Sequence, residues 1–112
     1  VTAFDAVVCI NMIHISPWTT TTSLVAGAKL ALREGGLLYL YGPYRMHGVH
    51  TAPSNEAFDR SLRAQNPQWG VRDLDRVMDV ADEEGFDLAE TLLMPANNLS
   101  VIFKKRDTVR AA

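Results

Sequence analysis

Small groups of amides and aromatics fall just after apolar runs in this chain, where a ligand could be held. Asn11 and His14 follow the uncharged run 6–10, and Tyr41 and Tyr44 straddle the end of a second run, 37–41. If both runs are strands of an open α/β sheet, these residues lie at the carboxyl ends, outside which ligands of such sheets sit. An ordinary histidine titrates at about pH 6.5, which suits proton transfer at neutral pH and makes His14 a candidate general base. A purely architectural reading competes with it and is favoured by the residues alone: Asn11 and His14 satisfy turn backbone, and the tyrosines pack as aromatic core. Asn97 and Asn98 carry the same two readings, as turn formers or as ligand contacts. Trp69 and Arg72 could clamp a substrate or pin a loop.

Other chemistries are poorly supplied. The glycines form neither a dinucleotide fingerprint nor a phosphate-binding loop, and no Gly-x-Ser-x-Gly elbow is present. His47 and His50 are read as solvated loop residues, too few ligands for a metal, so no metal site is expected. Asn98-Leu99-Ser100 matches a glycosylation acceptor but reads better as a polar turn entering a strand.

The elements that must position these residues can be read from periodicity. The run 6–10 has the pattern of a strand buried on both faces. Ser16 and Pro17 then offer an N-cap and a first-turn proline, and Leu24, Ala28, Ala31 and Leu32 recur at helical spacing until Gly35-Gly36, read as the helix stop. Residues 37–41 form a second strand that ends at Gly42-Pro43. Residues 44–72 are an insertion or lid, with one short helix beginning at Ser54 and using Phe58 and Leu62 as apolar contacts. Asp73 caps a helix that places Leu74, Val77, Met78 and Ala81 on one face and ends at Gly85. Residues 86–93 and 99–105 form a closing hairpin, and 106–112 a tail.

The expected order is therefore β-α-β, an insertion, then an α-β-β hairpin. Right-handed crossovers put both long helices on one face of the sheet. The other face is left bare, as in half a domain or half of an oligomer.

Composition narrows the function. The 112 residues are 47% hydrophobic and 21% charged, the make-up of one globular domain. Thirteen acidic residues against eleven basic ones argue against nucleic acid as a partner. The single cysteine, Cys9, excludes an internal disulfide and points to the cytoplasm, and no apolar stretch is long enough to span a membrane. The chain begins at Val1, close before its first strand, as a fragment of a longer protein would.

Several segments together resemble a known family. Phe4-Asp5-Ala6-Val7-Val8 with Asn11-Met12-Ile13-His14 is similar to the fourth-strand motif of class I S-adenosylmethionine-dependent methyltransferases, and residues 32–38 resemble the approach to their fifth strand. Residues 11–18, Tyr41-Gly42-Pro43-Tyr44, Ser54-Asn55 with Phe58-Asp59, Trp69-Gly70-Val71-Arg72-Asp73 and 94–98 resemble the motifs of the DUF938 (UPF0585) family of methyltransferase-like proteins, over roughly residues 4–105. The resemblance implies the carboxyl-terminal half of a Rossmann-like methyltransferase sheet. The amino-terminal half, with the glycine-rich loop and the acidic residue for the cofactor ribose, has no counterpart here.

By the same resemblance, Ile10, Asn11 and Met12 lie near the methionine moiety of S-adenosylmethionine. Trp18, Tyr41, Tyr44, Asn97 and Asn98 face the methyl acceptor, with His14 as the candidate base. The expected function is methyl transfer to a small molecule, with this chain supplying the acceptor side and inactive alone. The alternative is a non-catalytic binding or assembly module that dimerises through its uncovered sheet. Either way, the expected partners are a small molecule, the missing half or a second copy, and neither nucleic acid nor membrane.

Overall fold

The computed structural model describes residues 4–107. β1 (Phe4–Ile10) is followed by a one-turn 3-10 helix (Met12–His14), α1 (Trp18–Ala31) and β2 (Leu32–Gly42). A small hairpin of β3 (Arg45–Met46) and β4 (Val49–His50) leads to α2 (Pro53–Gln65). α3 (Leu74–Glu83), β5 (Phe86–Met94), a 3-10 turn (Pro95–Asn97) and β6 (Asn98–Lys105) complete the chain.

The main sheet has the order β1-β2-β6-β5. β1 and β2 are parallel, and β6 is antiparallel to both β2 and β5. β2 and β5 therefore point the same way. The carboxyl ends of β1, β2 and β5 meet the start of β6 at a single edge, and this edge carries the polar clusters.

Alternation along the strands explains the layering. Leu38 and Leu40 of β2 and Val101 and Phe103 of β6 face the helices and are buried, packed with Val25 and Ala28 of α1 and Leu74, Val77 and Ala81 of α3. Each such side chain stabilises the fold by about 1.5–3 kcal/mol relative to exposure. α1 and α3 share this face, as the crossover rule requires. On the other face Val8 pairs with Tyr39 and Ile10 with Tyr41, and Val8 and Ile10 are each 61% exposed. β1 is also an edge strand.

Several local expectations need correction. α1 starts at Trp18 with Pro17 in the cap position and no side-chain cap, because Ser16 Oγ donates instead to Met12 O. The helix ends at Ala31, before the glycines; Leu32 is already extended, and Gly35 takes its positive φ in the irregular stretch that enters the β1–β2 ladder. Lys105, on the last strand, donates through Nζ to Lys29 O and Leu32 O at 2.6 Å each, closing the carboxyl end of α1 with a cation.

α2 begins at Pro53, one residue before the expected start, and buries Asn55, Asp59 and Leu62, while Phe58 stays 40% exposed. His50 is not a solvated loop residue: its Nε2 lies 3.4 Å from Asp59 Oδ2, and the side chain is largely buried. Arg106 is tied down, its N–H donating to Gly85 O and its guanidinium to Asp82 and Asp87. The rest of the expected tail, 108–112, lies outside the described residues.

Candidate functional site at the carboxyl edge of the sheet

Asn11 turns the chain out of β1. It adopts a left-handed conformation (φ 60°), and its N–H donates to Tyr41 O at 2.8 Å, adding one rung to the parallel ladder. Left-handed backbone costs a non-glycine residue about 1–2 kcal/mol, less for asparagine. Ala96 (φ 62°) and Asn97 (φ 60°) adopt it too, in the β5–β6 connection across the same edge.

His14 lies beneath this edge, wholly buried. Its Nδ1 accepts the Arg72 N–H at 3.0 Å, its carbonyl accepts the Gly70 N–H at 2.9 Å, and its ring meets Tyr44 edge-on with centroids 5.0 Å apart. Burial above all, and then the nearby Arg72 charge, lower its pKa to about 4. At neutral pH the ring is uncharged with its proton on Nε2, an atom that has no partner in the structure. Tyr44 is equally buried, its hydroxyl unpartnered and its pKa raised by burial.

Gly42 explains how these groups fit at the end of β2. A Cβ there would stand 2.8 Å from both Asn11 Oδ1 and His14 Nε2. Only glycine allows the strand to pass so closely.

Arg72 locks the insertion to the 3-10 turn. Its Nε donates to Ile13 O at 2.9 Å and its Nη2 to Ser16 O and Gln68 O. Trp18 lies under Arg76, 4.3 Å from the ring centroid, with Arg72 at 5.8 Å. On the other side of the insertion, Asp59 accepts the Val71 N–H at 2.8 Å and pairs with Arg63, docking α2 against residues 70–72.

With α2 so held, a cavity of about 260 Å³ remains between it and the strand ends, lined by Asn11, Pro43, Ser54, Asn55, Phe58, Ala96 and Asn98. Its rim is stitched together by amides. Asn55 Nδ2 donates to Asn97 O at 3.1 Å, and Asn97 Nδ2 to Ser54 Oγ at 3.0 Å. Asn98 Nδ2 donates to Tyr41 Oη and Pro95 O, at 3.3 Å each. A larger hollow of about 780 Å³ at the opposite edge is lined by Glu34, Gly35, Asp87, Lys104, Lys105, Arg106 and Asp107. It mixes charges of both signs and lies away from the carboxyl ends of β1, β2 and β5, so the smaller cavity is the better candidate.

The structure thus brings Asn11 and Asn98 together as cavity walls, with Tyr41 bonded to Asn98 and Asn97 latching α2. Ile10 and Met12 flank Asn11 on the exposed side. Trp18, Tyr44 and His14 do not line the cavity. Ser54, Asn55 and Phe58 were not singled out as site residues. The available signal was an amide beside a serine at a helix start, which passes equally well for a cap.

A mixed, partly parallel sheet with two helices on one face has the fold of part of a Rossmann-like domain, and solved structures of methyltransferases share it. Human N-acetylserotonin methyltransferase in complex with SAM matches 92% of this chain at 11% identity and a TM-score of 0.81, over 30% of its own length. An O-methyltransferase family 2 protein from Planctomyces limnophilus, in complex with apigenin, matches 90% of this chain at 18% identity and a TM-score of 0.80, also over 30% of its length. The S-adenosylmethionine-dependent methyltransferase SibL matches 95% at 16% identity and a TM-score of 0.76, over 32% of its length. The chain spans about a third of each of these proteins. Residues 1–105 match the family described as "protein of unknown function (DUF938)", and the chain belongs to that family. Among the described residues, no helix is long and apolar enough to cross a membrane.

Proposed function

We propose that this chain forms the acceptor side of an S-adenosylmethionine-dependent methyltransferase site acting on a small molecule. The observation that carries the reading is the open cavity at the strand carboxyl ends, walled by Asn11 and Asn98 and bordered by α2. Asn11 lines the cavity with a carboxamide not bonded to any other side chain, able to meet the polar methionine end of the cofactor, and Ile10 and Met12 stand exposed on either side of it. When bound, the cofactor supplies an electrophilic methyl group on a sulfonium. In this reading Ile10, Asn11 and Met12 hold its methionine moiety, and Tyr41 and Asn98 orient the acceptor. Asn97 fixes the lid helix through Asn55 and Ser54.

His14 acts here as a positioning residue. Its buried imidazole ties the strand-end turn to residues 70–72. Tyr44 supports the His14 ring, and Trp18 supports Arg72 and Arg76. Positioning of this kind contributes much of the rate of an in-line transfer. Calorimetric titration of S-adenosylmethionine into the complete gene product, wild type and Asn11→Ala, tests the reading. Wild-type binding weakened by the substitution supports it, and no binding, or binding indifferent to Asn11, refutes it.

A second reading rests on the edge strand β1 and the exposed Val8 and Ile10. An unprotected apolar edge is a pairing template, which favours a two-fold dimer joined across β1 or the bare face. Light scattering at micromolar concentration separates the two, since a monomer excludes the dimer.

A further inference from the structure

We infer that His14 is a positioning residue for Asn11: its buried Nε2–H is the donor that holds Asn11 Oδ1, and this turns the Asn11 amide hydrogens toward the cavity. The end of β1 then receives the part of a ligand that accepts hydrogen bonds. For the methionine end of S-adenosylmethionine that part is the carboxylate and not the ammonium. This last assignment rests on the proposed function, whereas the pairing of His14 with Asn11 does not.

The tautomer of His14 follows from its neighbour. Nδ1 accepts the Arg72 N–H at 3.0 Å, so it carries no proton, and the proton of the neutral ring sits on Nε2. That N–H is wholly buried and has no partner among the described residues. Gly42 shows what it faces. The point where a Gly42 Cβ would stand is 2.8 Å from His14 Nε2 and 2.8 Å from Asn11 Oδ1, so donor and acceptor share one gap that a side chain at position 42 would fill. With the carboxamide reversed, Asn11 Nδ2 would meet Nε2 donor to donor, and the buried N–H would be left without an acceptor.

The two limbs of a carboxamide diverge from one carbon. With Oδ1 turned to the gap, the Nδ2 hydrogens are what Asn11 offers the cavity that it lines. The other lining amides have spent theirs. Asn55 Nδ2 donates to Asn97 O and Thr51 Oγ1, and Asn98 Nδ2 to Pro95 O and Tyr41 Oη. Each keeps an Oδ1 acceptor, while Ser54 Oγ, which accepts from Asn97, keeps its own hydrogen to donate. The lining is therefore polarised, with a carboxamide donor at the end of β1 and carboxamide acceptors at α2 and at the start of β6.

The pairing is tested without ligand, in the complete gene product, by following the histidine ring 15N signals through a pH titration. Asn11→Asp is the perturbation, since aspartate keeps the shape of the carboxamide and tolerates the left-handed backbone at φ 60° while placing a negative oxygen in the gap. Arg72 and Asp59, the charges that already act on the ring, are the same in both proteins. At pH 7 the wild-type His14 should carry its proton on Nε2, and Asn11→Asp should raise the pH at which the ring takes up a second proton by about one unit or more. A proton on Nδ1 at pH 7 overturns the inference. So does a titration that the variant leaves unchanged, the result expected if the unpartnered Tyr44 hydroxyl were the acceptor instead.

Calorimetry then reads the polarity. S-adenosylmethionine should bind Asn11→Asp about tenfold or more weakly than wild type, because the donor facing its carboxylate has become a like charge. Decarboxylated S-adenosylmethionine should bind the two proteins alike or favour the variant. His14→Gln, whose side-chain N–H reaches the place of Nε2–H, should bind S-adenosylmethionine within about twofold of wild type, and His14→Asn, which replaces only the Nδ1 acceptor, should lose about three- to tenfold. His14→Asn binding as well as His14→Gln, or better, marks a role confined to the Arg72 contact and overturns the positioning assignment. Equal or tighter binding of S-adenosylmethionine to Asn11→Asp overturns the polarity. If S-adenosylmethionine binds none of these proteins, the proposed function falls and the titration alone decides whether His14 holds Asn11.

Discussion

Acid should destabilise this fold through His14, by an amount the structure sets. The imidazole is wholly buried and its pKa is lowered to about 4, first by loss of water and then by Arg72. In the unfolded chain it returns to about 6.5. At pH 7 the folded protein does not carry the proton and only a minority of unfolded chains do, so the group is close to neutral in its effect on stability. As the pH falls through 6.5 the unfolded chain takes up a proton that the folded protein still refuses, so stability drops and goes on dropping until about pH 4. Each tenfold in proton affinity is worth about 1.4 kcal/mol, which makes the full loss about 3 kcal/mol. Urea unfolding followed by circular dichroism from pH 7 to pH 4 measures it. Exposed carboxylates add their own slope at the acid end, so the comparison is with His14→Asn, whose Oδ1 can take the place of Nδ1 as acceptor for the Arg72 N–H. The variant starts lower at pH 7 because it leaves a gap against Tyr44, but its loss on acidification should be smaller by about 3 kcal/mol. Parallel curves for the two proteins would show that His14 is protonated without penalty, and the buried, neutral description of it would fail.

Gly42→Ala should cost about 1–3 kcal/mol, because the new methyl meets Asn11 Oδ1 and His14 Nε2 at 2.8 Å. Gly27→Ala on the open side of α1, where nothing lies within 4 Å, should instead stabilise by about 1 kcal/mol. Thermal melts of the pair check both, and equal shifts would contradict the packing at Gly42. Lys105→Met should lower the urea midpoint by the equivalent of about 2 kcal/mol, since it strips the charged donor from Lys29 O and Leu32 O. A loss below about 0.5 kcal/mol would mean that water replaces the ammonium without cost.

The framework was legible in the sequence where burial leaves a periodic trace. Strands covered by helices read as apolar runs, and α3 announces itself through its apolar stripe and through Asp73, whose Oδ1 does accept the Asp75 N–H. The β3–β4 hairpin left no such trace. Its strands are two residues each, and its turn residues His47 and Gly48 both take positive φ, where an Asn-Gly or Asp-Gly pair would have been the recognisable signal. What holds it is Asp73, which reaches 25 residues back to accept the Gly48 N–H at 2.5 Å, a contact that no local pattern can reveal.

The site was half legible for a related reason. Asn11 and Asn98 could be found because they follow from strand direction alone. Asn55 could not, because α2 inverts the usual rule: the face it turns inward carries an amide and a carboxylate beside one leucine, while its phenylalanine stands half open. A hydrophobic pattern places Phe58 inside and Asn55 outside. The inversion makes physical sense if α2 is docked less by a hydrophobic stripe than by polar bonds, from Asp59 to Val71 and Arg63 and from Asn55 to Asn97. A helix held in this way loses little apolar burial when it moves, and it presents its one aromatic ring to the cavity. Those are the properties wanted in an element that must admit a ligand and then cover it.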